Sequence, residues 1–332
     1  MSDVAAAVGV SPMTVSRAFR RDASVSLKTR EKILETAAAL GYVFDSRAST
    51  LRSQKTGFVA VTIPSINNAN FADTVGAISA ELAQSDLQVL LGYTNYDLDD
   101  EERLIEQLLR RRPEALIVTG GSHSAHARTM MSNAGIPVVQ MWDEPQDPVD
   151  MVVGFSNGQA MQLMVRHMID QGRRNLVFLG GDDRSDVRGA ERREGFITAM
   201  RSAGLPADRL VDTGTPPVSM HQGALAMQQA LRQYPDLNGV VCVSDLSAFG
   251  AMSECQRQQV PVPDQVAIGG FGAYDISGQS VPEISTVEVH SKEIGTRAAQ
   301  AALAAINGNA TQQDRIQNVV PVLIPRASTQ RD

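Results

Sequence analysis

Cysteine is scarce in this chain of 332 residues: Cys242 and Cys255 are the only two. Neither has a Cys or His partner at metal-ligand spacing, so both read as core thiols of a reducing cytosol, not as a disulfide or zinc scaffold. The five histidines (123, 126, 167, 221, 290) form no HExxH or other ligand cluster. A GxSxG elbow and a Walker loop are both missing. Gly120-Gly121 and Gly180-Gly181 lack the rest of a dinucleotide fingerprint and read better as tight turns at the mouth of a small-molecule cleft. These absences argue against an enzyme, and no metal or cofactor is expected. Apolar runs stay far short of the roughly 20 residues that span a bilayer, and no secretory leader is visible, so a soluble cytoplasmic protein without a membrane partner is expected. Aromatics make up only 5% of the chain, with Trp142 the single tryptophan.

What is present is concentrated at the start. Val4, Ala5 and Val8 share one helical face, and Gly9 stands where that helix stops and the chain reverses. Ser11 is a good N-cap for a second helix with Pro12 at its first position. That helix turns Met13, Thr14, Ser16 and Arg17 outward and Val15 and Phe19 inward. A third helix runs from Leu27 to Gly41, capped by Ser26. Its Ile33, Leu34, Ala37 and Leu40 are expected to pack on the first two, leaving Lys28, Arg30 and Lys32 solvated. Through Lys55 the chain carries nine Lys or Arg against five acids, a net of +4; the whole chain is −7, so the remainder carries −11. That asymmetry, with two short helices around a glycine turn, points to a DNA-binding arm on an acidic body.

The strings DVA, GVS, TVSR, VS-KTRE-KI and ALGY, in this order between Asp3 and Tyr42, resemble the headpiece of the lactose-repressor (LacI/GalR) family of bacterial regulators. Family members usually have several residues before the Asp; here Met1 and Ser2 stand there, and Ser2 is expected to cap the first helix. The resemblance implies that Pro12 and Met13 read base edges, with Ser11, Thr14 and Arg17 beside them, and that Ser16 and the Lys28–Lys32 face touch phosphate. Leu51 aligns with the hinge-helix leucine that wedges into the minor groove. A homodimer on a pseudo-palindromic operator is implied, and the lack of a leucine heptad tail after Ile324 favours dimer over tetramer.

From Gly57 the pattern alternates apolar runs with helices. Residues 58–63, 88–91, 115–118 and 137–141 form one set, and 175–179, 239–243 and 266–269 a second, with helices near 186–203, 220–233 and 246–258. The expected fold class is α/β: an all-α helix-turn-helix headpiece (1–44), a hinge or linker (45–56), and a bilobed periplasmic-binding-protein-like core (57–332) of two doubly wound parallel sheets. Lobe 1 is expected over about 57–155 plus 290–320, and lobe 2 over about 156–285 plus the C-terminal strand.

Ligands of such sheets bind beyond the carboxyl ends of the strands. By position, the candidates are Ser65, Asn67, Asn70, Phe71, Asn95, His123, Trp142 and Asp143 in the first lobe. In the second they are Arg188, Arg192, Ser244, Asp245, Tyr274 and Asp275. Arg192 sits three before a helix glycine, where the family places an arginine that clamps the effector. Gly270-Phe-Gly-Ala-Tyr-Asp275, with Ser122-His-Ser124 after the third strand, resembles the gluconate-type repressors. The resemblance with these cations implies a sugar-acid effector such as gluconate or 2-ketogluconate. A neutral sugar or a nucleobase is the alternative within the class. Outside it stand a solute-binding protein and an enzyme with an appended DNA-binding domain.

Overall fold

The computed structural model describes residues 1–19, 25–43, 56–181 and 186–330. The chain divides into two units, Met1–Thr56 and Gly57–Asp332. Leu51 and the expected hinge, apart from Thr56, lie outside the described residues.

The first unit holds α1 (Ser2–Val8), α2 (Pro12–Ala18) and α3 (Leu27–Ala39). Gly9 ends α1 at φ 78°, a left-handed conformation that glycine adopts at little cost. The Ser11 hydroxyl caps α2, accepting from Thr14 N at 3.1 Å, and Ser26 caps α3 in the same way through Thr29 N. Val4, Ala5, Val15, Ala18, Ile33 and Ala37 form the core. Three expectations are corrected. Ser2 lies within α1, whose N-cap, Met1, has no capping side chain. Leu34 and Leu40 are exposed, because Ile33 and Ala37 alone occupy the buried stripe of α3. Arg30 is not a free solvated cation: its Nε donates to Ala18 O at 3.0 Å, tying α3 to the carboxyl end of α2.

The second unit opens with a six-stranded parallel sheet in the order β2-β1-β3-β4-β5-β11. These strands are β1 (Phe58–Ile63), β2 (Gln88–Tyr93), β3 (Leu116–Thr119), β4 (Val138–Met141), β5 (Met151–Gly154) and β11 (Ile316–Asn318). Both faces are covered, which is why the strands read as unbroken apolar runs. Val59, Val61 and Ile63 pack under α4 (Ala69–Ala83) and α12 (Ser291–Ile306), while Ala60 joins Ile105 and Leu108 of α5 (Leu98–Arg110) and Met131 of α6 (Ala125–Ser132).

The second sheet, in the order β7-β6-β8-β9, is also parallel. It contains β6 (Leu176–Leu179), β7 (Leu210–Val211), β8 (Gly239–Cys242) and β9 (Ala267–Gly269). Leu176 and Phe178 face α7 (Asn157–Asp170) and α8 (Val187–Ser202); Val177 and Leu179 face α9 (Met220–Gln233) and α10 (Asp245–Arg257). Cys242 and Cys255 are buried and free, and burial pushes both thiols up. The fold is therefore the expected α/β pair of parallel sheets.

Between the sheets the chain crosses three times. It leaves β5 for α7, returns from β10 (Thr286–Glu288) to α12, and leaves β11 for β12 (Val322–Ile324), which pairs antiparallel with β10. Gly270 N and Gly272 N donate to Ser285 O and Val287 O, so β10 extends the second sheet, with the short α11 (Asp275–Gln279) between β9 and β10.

Candidate functional site

On the headpiece, α2 presents Pro12, Met13 and Arg17 to solvent, with Met13 60% exposed. Thr14 and Ser16 are half-buried. The Ser11 and Thr14 hydroxyls lie 2.9 Å apart, so both are engaged in capping. Among the described residues, the groups of this face without a hydrogen-bond partner are an apolar thioether, a guanidinium and the Ser16 hydroxyl, a set that suits base edges and phosphate.

In the second unit a cavity of about 380 Å³, part of it open to solvent, lies at the carboxyl ends of the strands where the two sheets face each other. Sheet 1 contributes Asn68, Asn70, Phe71, Tyr96 and Trp142; sheet 2 contributes Asp186, Arg188, Arg192, Phe271, Gly272 and Tyr274. Asn70 Nδ2 donates to Gly272 O at 2.9 Å, one direct bond between the two sides.

The wall is aromatic. Trp142 meets Phe71 edge-on at 5.2 Å and Phe155 at 6.1 Å, and Phe155 lies 6.4 Å from Phe271. Trp142 takes φ 72° and is almost fully buried, and its Nε1 donates to Thr74 Oγ1 at 3.2 Å. The indole is thus a packed wall, with its N–H already used.

Two guanidiniums stand over this wall. Arg192 Nε donates to Asn157 Oδ1 at 2.9 Å and Nη1 to Val243 O at 3.1 Å, and its Cζ lies 3.9 Å from the Phe271 ring centre. Burial draws Arg192 below its ordinary pKa; the like charge of Arg188 acts in the same sense and Asp186 opposes it. Arg188 is only 8% exposed, yet its side chain has no hydrogen-bond or ion-pair partner among the described residues. Its Cζ sits 5.8 Å from the Phe71 ring centre, and a Cβ on Gly120 would lie 3.0 Å from its Nη1. With no direct ion pair among the described residues, the fork of this guanidinium is open to an anion that would complete it. Burial, then the Asp143 carboxylate, pushes nearby Glu191 up to about 7, which removes part of the negative charge around the arginines near neutrality. Burial also raises the Tyr96 and Tyr274 phenols, so both remain protonated donors, each in contact with the Asn68 side chain.

Of the residues expected from sequence, Phe71, Trp142, Arg188, Arg192, Tyr274 and Asn70 come together here. Eight others do not line the cavity, and one of these, Asp143, lines the space beside it. Ser65 Oγ accepts from Asn67 N within its own turn, and Asn95 and Asp275 are exposed. His123 is a buried link, with Nδ1 2.9 Å from Glu101 Oε2 and Nε2 3.2 Å from Gln140 Nε2. Ser244 caps α10. Asp245 is fully buried and accepts from Tyr274 N at 2.7 Å and Thr286 Oγ1 at 2.6 Å, so it supports the Phe271–Tyr274 turn from behind. Asn68, Tyr96 and Asp186 are wall residues that sequence reasoning passed over. Asn68 and Asp186 were legible only as the N-caps of α4 and α8, which they also are.

Asp245 carries a pH prediction. Burial pushes its carboxyl up to about 6, against the hydrogen bonds that favour its charge. An unfolded Asp titrates near about 3.9, so the folded chain holds this proton more tightly between roughly pH 4 and 6. The group's contribution is complete below that window and is lost as pH rises through about 6. Asp245→Asn removes the titration. Urea unfolding should show the variant gaining on the parent by roughly 2–3 kcal/mol between pH 4 and 7. A pH-independent difference would show that this carboxyl is not the titrating group.

Two family models match parts of the chain. A family model for bacterial regulatory proteins of the lacI family matches residues 1–45, and one for a periplasmic binding protein-like domain matches residues 165–329. The chain is 37% identical over 310 residues to the HTH-type transcriptional regulator GntR of Pseudomonas aeruginosa, covering 93% of this chain and 89% of that one. Two solved structures from Silicibacter pomeroyi, both LacI family transcriptional regulators, are similar. One has a TM-score of 0.79 at 40% identity over 83% of this chain and 100% of its own; the other has 0.92 at 30% over 99% of each. Fold and matches together define a DNA-binding transcriptional regulator. Within that class, the chain belongs to the LacI family.

Proposed function

We propose that this regulator, probed as a homodimer on a two-fold operator, has its DNA affinity set by a sugar acid bound between Arg188 and Arg192. The observation that carries the reading is Arg188, a residue only 8% exposed that lines a cavity with a second arginine and whose guanidinium has no hydrogen-bond partner among the described residues. A carboxylate supplies the missing acceptor, and the Tyr96, Tyr274 and Asn68 side chains supply partners for hydroxyls. The 37% identity to a GntR regulator and the resemblance to gluconate-type repressors point the same way. Calorimetric titration with gluconate, 2-ketogluconate, glucose and a purine base tests it: binding is expected for the acids, and binding only to glucose or the purine overturns the proposal.

On the DNA side the reading gives Pro12, Met13 and Arg17 to the major groove and Leu51 to the minor groove. Leu51→Ala is expected to weaken operator binding about tenfold or more, through a lost unstacking wedge, with effector affinity unchanged. Equal operator affinity in a mobility-shift titration would remove the wedge role.

A further inference from the structure

Arg188 and Tyr96 also line a second space of about 420 Å³, part of it open to solvent, set at the carboxyl ends of β1, β2, β3 and β4. Its chemistry is the reverse of the first. Asp97, Glu101 and Asp143 line it, with Arg188 the one cation among the described lining residues. Glu101 and Asp143 are each only 5% exposed. Both are fixed: Asp143 Oδ2 accepts from Gly121 N at 3.0 Å and Oδ1 from Glu144 N at 2.8 Å, while Glu101 Oε2 meets His123 Nδ1 at 2.9 Å. Ionised carboxylates only accept hydrogen bonds, and each oxygen has room for more than one. They therefore call for O–H donors and repel a second anion.

The two spaces share Arg188 and Tyr96 as lining residues and are therefore neighbours. Resting on the sugar-acid reading above, we propose that the effector is a linear polyhydroxy acid. Its carboxylate lies between Arg188 and Arg192, its hydroxylated chain passes Arg188 and donates to Asp143 and Glu101, and its far end is uncharged. A short acid fills the first space alone. A phosphate on the far end would bring a charge of about −1.5 to −2 against three carboxylates.

Titration of the full chain with D-glycerate, D-gluconate and 6-phosphogluconate separates these cases. Gluconate is expected to bind about tenfold or more tighter than glycerate, since each hydrogen bond to a charged group contributes on that scale. The 6-phosphate is expected to bind about tenfold or more weaker than gluconate, by like-charge repulsion at short range. Asp143→Asn should lower gluconate affinity, leave glycerate affinity unchanged and narrow the gap to the 6-phosphate. Retained glycerate binding shows that a variant is folded, and Glu101→Gln, expected to act in the same direction, decides if Asp143→Asn is not. Equal affinity for glycerate and gluconate, or a 6-phosphate that binds as tightly as gluconate, overturns the second compartment while the sugar-acid reading stands. Failure of all three acids to bind overturns both.

Discussion

Arg188→Met is expected to abolish the response to a sugar acid while operator affinity in its absence stays at the parent level. The methionine keeps an unbranched apolar side chain and removes the charged fork, which lies near the Phe71 ring and Gly120. Losing one partner of a desolvated charged pair costs about 2–5 kcal/mol, which is roughly 30- to 5,000-fold in affinity. Arg188→Lys is expected to fall between, because an ammonium keeps the charge but not the two-pronged geometry. Calorimetry with gluconate, paired with a mobility-shift titration with and without it, reads both effects. Parent-like gluconate affinity in the methionine variant would mean that the cavity holds its ligand without this cation. Arg192 is the poorer residue for this experiment, since its bonds to Asn157 and Val243 O make it part of the scaffold as well.

The second large effect is expected from a single methyl group. Helices α7 and α8 cross at Gly158 and Gly195, where a Cβ on Gly195 would lie 2.3 Å from Gly158 O and 2.9 Å from its Cα. Those are backbone atoms, so no side chain can swing away, and Gly195→Ala must separate the helices. We expect a loss of about 2–4 kcal/mol, typical of overpacking where the surroundings cannot relax. The midpoint of thermal unfolding should fall by roughly 5–10 °C. Effector affinity should fall too, because α8 carries both Arg188 and Arg192. Gly76→Ala is the control: it lies inside α4 with nothing within 4 Å of the added Cβ. It should stabilise by about 0.5–1 kcal/mol, since a helix-interior glycine is replaced without a clash. A Gly195→Ala protein that melts with the parent would refute the close crossing.

These outcomes mark what one sequence could and could not show. The runs at 58–63, 175–179 and 239–243 announced themselves because strands covered on both faces have no polar side. Strand β5 did not, being four residues behind a Pro- and Asp-rich stretch. Nor did β11, whose Ile-Gln-Asn sits at the sheet edge with little to bury. The arginines of α8 stood out because a fork-shaped cation early in a helix past a strand has few other uses there. His123 and Asp245 had the same outward credentials. What separates them is the set of bonds each makes with residues far off in the chain, namely Glu101 and Gln140 for one and Thr286 for the other. Tyr96 was passed over because its direction depends on positive φ at both Asn95 and itself, 53° and 62°, which composition does not announce.

The three chain crossings between the sheets have a mechanical consequence. A single connector would let the lobes swivel freely, and two would fix an axis but leave play about it. A third, tied to the others through the pairing of β10 with β12 and of β11 with β5, suppresses that play. The core then has one soft coordinate, an opening angle. The second unit begins at Gly57, directly before β1 of the first sheet. A molecule held between the sheets would then act on the first sheet as a change in that angle, which is a rotation.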